Sequence, residues 1–470
     1  MREIGLALFC AWLTFGSAAM VAAQEPAEEP AEETTEAEPP QSVEERLDEL
    51  DQKVRVLDRK SELDKEQAAE KAKTAGQATA GKDGFSLKSA DGAFQLKLRG
   101  YTQLDGRFYG GDDERPANDT FLLRRIRPIF EGTLFKIFDF RIMPDFAQGQ
   151  TVLFDGYLEG RFSPAFKVRA GKFKPPVGLE RLQSATDTFF VERAFPTSLV
   201  PNRDLGIQVS GDLAGGGVNY AIGYFNGVPD GVNGGDVDAE DDKDLAARIF
   251  FTPFAKGTGP LKGLGFGVAA SQGSTTGTLT ATGLPAYRTP GQQTFFSYRT
   301  DGTAPNTAFA DGDRTRLSPQ GYLYVGPFGI LAEYVQSSQE VRRAAVVEEL
   351  ENEAWQVAAS WVIAGGEPSF RGVNPKTVFD PAAHTWGAFE LVARISSLDV
   401  DDEAFPLFAN PASAASAADS LGIGLNWYLN RNLKVMLDYE RTEFDGGGGI
   451  AGVGDREDEN VLFSRFQIAF

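Results

Sequence analysis

The stretch FQLKLRGYTQLDGRF, Phe94 to Phe108, alternates without a break for fifteen residues. Even positions are apolar or small, with one threonine: Phe94, Leu96, Leu98, Gly100, Thr102, Leu104, Gly106 and Phe108. Odd positions are polar or amphipathic: Gln95, Lys97, Arg99, Tyr101, Gln103, Asp105 and Arg107. Successive side chains of a strand point to opposite faces, so this period demands a strand with one greasy and one charged side. Strands in soluble proteins are usually about 5–6 residues. This one is long enough to cross a membrane.

The same texture returns at 119–134, 137–146, 151–162, 166–174, 204–211, 218–225, 244–251 and 264–271. It continues at 314–325, 328–336, 353–362, 385–396, 419–429, 432–443 and 460–470. A weaker run at 293–298 lies within a long polar stretch and is assigned to a loop, which leaves sixteen strands. Closed bacterial barrels have an even number. Long, acidic or Gly-rich connections (109–118, 175–203, 272–313, 397–418) alternate with short ones (135–137, 212–217, 326–328, 430–432). Those at 147–150, 252–263 and 363–384 break the rule. Long loops on one rim and short turns on the other are how outer-membrane barrels are built. In the last strand Leu462, Phe466, Ile468 and Phe470 share one face. Trp355, Trp361, Trp427, Tyr428 and Tyr439 suit aromatic girdles at the two interfaces. The expected fold is all-β: a sixteen-stranded antiparallel transmembrane β-barrel, apolar toward outer-membrane lipid and wide enough for an aqueous lumen.

Upstream, MREIGLALFCAWLTFGSAAMVAAQ has the positive start, apolar core and Val21-Ala22-Ala23 site of a signal peptide, expected over 1–23. It contains Cys10, the one cysteine of the chain. No later stretch approaches 18 uninterrupted apolar residues, so residence in a membrane requires a barrel. Residues 24–41 are Pro/Glu/Ala-rich and read as a disordered linker. Val43, Leu47, Leu50, Val54 and Leu57 then recur at 4-3-4-3 spacing, which over two heptads fits a coiled coil or a lone amphipathic helix. Residues 42–84 are expected to be a periplasmic helical segment and 85–470 the barrel.

The net charge of −21 argues against a nucleic-acid binder, which would show a basic footprint. The surplus collects in the linker and in runs such as DVDAEDDKD (236–244), DVDDE (399–403) and DREDE (455–459), which read as solvated loops. The lumen reverses the sign. Parity turns inward Lys97, Arg99, Arg107, Arg125, Arg127, Arg141, Arg161, Lys167, Arg169, Arg248, Arg314, Arg316, Arg394, Lys434 and Arg465. Against them stand Asp105, Glu131, Asp139, Asp145, Asp155, Glu159, Glu333, Glu390, Asp438 and Glu440. Stripes of Arg and Lys along a narrow aqueous path favour anions, unless each arginine simply braces the wall against an inward carboxylate. Segment 175–203 is too long for a turn. Folded into the lumen, it would put Arg181 and Arg193 beside a passing ion.

FLLRRIRPIFEG (121–132), LFDGYLEG (153–160), AGKFKPPVGLERLQSATD (170–187), GEPSFRG (366–372) and GIGLNWYLN (422–430) carry a resemblance. In this order they are similar to successive strands and the constriction loop of the phosphate-selective porin O and P family of Gram-negative outer membranes. The resemblance, over about 85–470, implies a homotrimer with an inward third loop, conducting phosphate or other small anions without a cofactor. Arg124 and Arg125 match the family's paired arginines near the constriction, and Asp155 matches an aspartate there. Parity turns Arg124 toward lipid, so either a bulge turns it inward, or it snorkels at the rim, or it lies in a trimer contact. Tyr101 and Thr186 stand where phosphate-binding members have an arginine and a lysine, which implies a weaker central site. The candidate anion path is Arg99, Arg107, Arg124, Arg125, Arg127, Arg141, Asp155, Arg161, Arg181 and Arg193. The alternative is a general diffusion porin for small hydrophilic solutes. His384 is the single histidine, which with no cysteine after Cys10 removes most His- or Cys-based enzyme sites. No repeat resembles a calcium-binding loop.

Overall fold

The computed structural model describes residues 42–111, 117–238, 241–448 and 454–470. The signal peptide and linker expected over 1–41 lie outside the described residues. The chain divides into two units, up to Glu70 and from Lys71 onward. Helix α1 (Val43–Thr74) begins at a capping box: the Glu45 amide donates to Ser42 Oγ at 3.3 Å, and the Ser42 amide to Glu45 Oε2 at 2.8 Å. Ion pairs Lys53–Glu49 and Arg55–Asp51, each four residues apart, support it. It outlasts the heptad run because the Glu-, Lys- and Ala-rich residues that follow are strong helix formers.

Sixteen antiparallel strands form the barrel. They are β1 (Gln95–Gly110), β2 (Thr120–Leu134), β3 (Phe138–Asp145), β4 (Val152–Ser163), β5 (Phe166–Phe173), β6 (Asp204–Leu213), β7 (Val218–Phe225) and β8 (Asp244–Phe251). Then come β9 (Gly263–Thr276), β10 (Ala308–Val325), β11 (Phe328–Arg343), β12 (Val346–Ala364), β13 (Ala388–Asp399), β14 (Ala415–Tyr428), β15 (Leu433–Gly446) and β16 (Glu459–Ala469). Each pairs with the next, and β16 returns to β1 from Asn460↔Gly110 to Ala469↔Tyr101. Closure satisfies every ladder hydrogen bond internally, the condition for a sheet in lipid. On this seam Asp105 and Arg465, both fully buried, make two bonds of 2.7 Å. A hairpin, Gln77–Gly81 with Gly84–Lys88, adds to the start of β1 through Phe85↔Leu98, so the end of the segment expected to be helical is β.

Alternation in β1 is as the sequence requires: Leu96, Leu98 and Leu104 are exposed on the outer face, while Gln103, Asp105 and Arg107 are buried inside. At the short-turn rim, Phe94–Phe135, Phe138–Phe162, Phe328–Trp361 and Phe389–Trp427 form a girdle of ring pairs. Tyr428 is a correction. It faces inward, buried, with its hydroxyl donating to Glu390 Oε2 at 2.8 Å.

Strands β11 and β12 run beyond the expected 328–336 and 353–362 to a tight turn at Ala344 and Ala345, where φ of Ala344 is 55°. Here the apolar-out pattern stops. Val335, Val341 and Leu350 point inward into an apolar cluster, while Gln336, Glu340 and Arg342 face outward. Above the bilayer the outer face meets water and the inner face packs on loops, so greasy-out alternation stops while the strand continues. Residues 293–298 include a strand, Thr294–Ser297, but it pairs with Ala286–Arg288 inside a loop and not with the barrel.

Asp105→Asn should remove the hydrogen-bonded carboxylate partner of Arg465 in the seam, at a cost of up to about 3–5 kcal/mol. The temperature at which the folded band converts to the unfolded band in heat-modifiability electrophoresis should fall; an unchanged temperature would contradict this role.

Candidate ion pathway

The 174–203 connection enters the lumen at Gly178, whose φ is +83° and whose added Cβ would sit 2.9 Å from Val200 Cγ2. Only glycine fits both demands. A short helix, α2 (Leu179–Leu182), follows, and its first amides find a wall carboxylate: Leu179 and Glu180 donate to the two oxygens of Glu333 at 2.5 and 3.1 Å. The Val191 amide donates to Asp438 Oδ2 at 2.6 Å. Asn426, Lys434, Gln103 and Gln467 donate to the carbonyls of Phe189, Thr188, Ala185 and Thr186. Val177, Phe195, Leu199 and Val200 pack into the cluster that holds Phe295, Phe296 and Phe408. The loop thus covers the β11–β15 side of the lumen, and the opening runs between it and the wall from β1 to β8.

Two cavities line that opening. One of about 970 Å³ faces the short-turn rim, lined by Arg99, Tyr101, Arg141, Asp155 and Lys174 among others. One of about 580 Å³ faces the loop rim, lined by Arg124, Arg125, Arg181 and Glu192 among others. Arg127, Arg193 and Arg203 line both. Phe154, which lines the loop-side cavity, has the Arg127 guanidinium 3.8 Å and the Arg203 guanidinium 4.7 Å from its ring centre. Arg127 also donates to Asp145 Oδ2 (2.7 Å) and to the Tyr101 hydroxyl (2.8 Å), and Arg203 to Asp155 Oδ1 (3.2 Å).

Three cations of the loop are held differently. Lys174 Nζ donates to the Gln183 carbonyl at 2.9 Å, Arg193 to the carbonyls of Glu180 and Gln183 at 3.0 Å, and Arg181 to that of Thr197. None of the three ion-pairs with a carboxylate among the described residues. Carbonyls orient these groups without cancelling their charge. Burial, then the neighbouring Arg193 and Arg203 charges, push the Arg181 guanidinium down to about 9.

The remaining candidates divide. Arg107, Arg124 and Arg125 gather around Glu192. Arg124 is there because of a bulge: Gln103 pairs with Arg125, but Leu104 pairs with Leu123, so Arg124 is the extra residue and turns inward. Arg99 and Arg141, which line the cavity toward the short-turn rim, share Glu131. Arg161 pairs with Asp139 at the short-turn rim and lines neither cavity. Other inward arginines brace the wall, Arg394 with Glu440 and Arg316 with Asp230 and Asp244. Arg203 escaped sequence reading because it lies just before β6, where parity assigns no face; Lys174 closes the expected strand 166–174 on its lipid-facing parity, but β5 ends at Phe173 and Lys174 belongs to the loop.

A closed barrel of this size with a loop folded into its lumen has the architecture of an outer-membrane channel. The family model for phosphate-selective porin O and P matches residues 94–470, and the chain belongs to that family. Porin O of Pseudomonas aeruginosa is 23% identical over 419 residues, covering 83% of this chain and 91% of its own. In fold the chain is similar to OmpT of Vibrio cholerae (TM-score 0.51, 13% identity, 80% of this chain and 98% of that one). It is also similar to the outer membrane channel DcaP of Acinetobacter baumannii (TM-score 0.51, 12% identity, 83% and 99%).

Gly178→Val should strain the loop entry by about 1–3 kcal/mol and loosen its hold on Glu333. Single-channel conductance should rise or become noisy; a steady wild-type value would contradict the anchoring.

Proposed function

We propose that the chain is an anion-selective, water-filled channel that passes phosphate and other small anions by diffusion, working as a homotrimer. The observation that carries this reading is the set of loop cations, Lys174, Arg181 and Arg193, held by backbone carbonyls beside the opening. With Arg127 and Arg203 they line the narrow section, where a partly desolvated cation attracts an anion far more than it would in bulk water. Arg99 and Arg141 extend the basic lining toward the short-turn rim, Arg107, Arg124 and Arg125 toward the loops, and Asp155 holds Arg203 in place. Arg161, at the rim, has no part. OmpT of Vibrio cholerae has been solved in a trimer form, which supports the homotrimer.

Tight phosphate selectivity is a separate matter. Tyr101 accepts a hydrogen bond from Arg127, and the Thr186 hydroxyl donates to Asp187, so neither adds a cation to the site. This favours anion preference with weak discrimination among anions, close to the general-porin alternative.

Reversal potential across a bilayer in a potassium chloride gradient tests the reading. Anion preference is expected, and Arg193→Ala should reduce it; cation preference in the wild type would overturn it.

A further inference from the structure

Glu192, a residue of the inward loop, sits where four arginines converge. Its Oε1 accepts from Arg124 Nε at 2.5 Å and from Arg107 at 2.9 Å, and its Oε2 accepts from Arg124 at 3.1 Å. Guanidinium nitrogens of Arg125 and Arg465 stand 3.8 and 3.9 Å away. A fork of arginine nitrogens around one carboxylate is how a protein captures a carboxylate or phosphate from solution. We infer that Glu192 is a tethered anion, occupying a built anion site on the loop side of the narrow section and so determining how weakly this channel holds the anions it passes.

Three observations support a filled site over an ordinary wall brace. Strand β2 breaks its register to add Arg124 to a cluster that already contains Arg107 and Arg125. Two carboxylates, Glu192 and Asp105, face four guanidinium groups, since Arg465 is the partner of Asp105 and Arg125 is met by the amide oxygen of Gln103. The cluster is also reached from the loop-side cavity, which Arg124, Arg125 and Glu192 line. Burial opposes ionisation of Glu192, but Arg124, Arg125 and Arg107 outweigh it and hold the carboxyl well below the usual range.

The tether is firm. Immediately before it the Val191 amide is fixed to Asp438, and the Glu192 carbonyl accepts from Arg394 at 3.0 Å. A ligand carried on the chain competes with dissolved phosphate as an intramolecular group, at an effective concentration set by its fixed geometry. Anions therefore pass the cluster without lodging in it.

This inference rests on the anion path proposed above, and its test is separable. Inorganic phosphate is titrated into chloride while current through the full-length porin is read in a planar bilayer, with folding checked by heat-modifiability. Glu192→Gln and Glu192→Ala should each acquire a saturable phosphate block, with half-blocking concentration at least about tenfold below that of the wild type, or about 1.4 kcal/mol tighter. Adding Arg124→Ala to Glu192→Gln should abolish the new block. A folded Glu192→Gln channel with the wild-type phosphate response would overturn the inference, as would a block that survives Arg124→Ala. Failure of Glu192→Gln to form the barrel would make Glu192 a structural counter-ion and overturn it too. The sign of the wild-type reversal potential is a separate reading that decides only the anion path.

Discussion

The character of the lumen follows from where the backbone amides of one loop find their acceptors. A loop inside a barrel cannot complete its hydrogen bonds within itself, and unpaired amides away from water are costly. Here the acceptors are the carboxylates of Glu333 and Asp438 on the far wall. Each carboxylate so used is hidden behind the loop, and the opening is pushed toward the wall that bears Arg127 and Arg141. A chain of net charge −21 thereby encloses a basic passage.

Burial sets how strongly each of the many arginines acts on a neighbouring charge. Two charges 4 Å apart interact by about 1 kcal/mol in bulk water and by about 4 kcal/mol at an effective dielectric constant of 20. Arg161, exposed at the rim and already paired with Asp139, falls under the first case. Arg193, fixed by two carbonyls between the cavities, falls under the second. Arg465 and Arg394 are deeper still, but each is matched by a buried carboxylate and serves the wall.

Much of the barrel could be read directly, because lipid outside and water inside impose strict alternation on every spanning strand. The alternation of Phe94–Phe108 carried straight into β1, and the sixteen strands emerged from the same rule. Legibility failed where one of those two solvents changed. The tops of β11 and β12 meet water outside and packed loops inside, so the apolar-out alternation stops there. Tyr428 looked like an interfacial ring and is an inward one, bonded to Glu390. Arg124 was one residue out of phase because a bulge spends a position without advancing the register. The neutralising partners were the least legible part. Arg465 and its partner Asp105 are 360 positions apart, and Arg107 is 85 from Glu192, separations that only the closed barrel brings together.

Crystals soaked separately in bromide and in rubidium would locate permeating ions by anomalous scattering. Bromide density between Arg127, Arg193 and Arg203, with no rubidium beside Glu333 or Asp438, is the expected result. Rubidium at those two carboxylates, with no bromide along the arginines, would show that the loop does not hide the acidic wall and would contradict the origin of the basic passage.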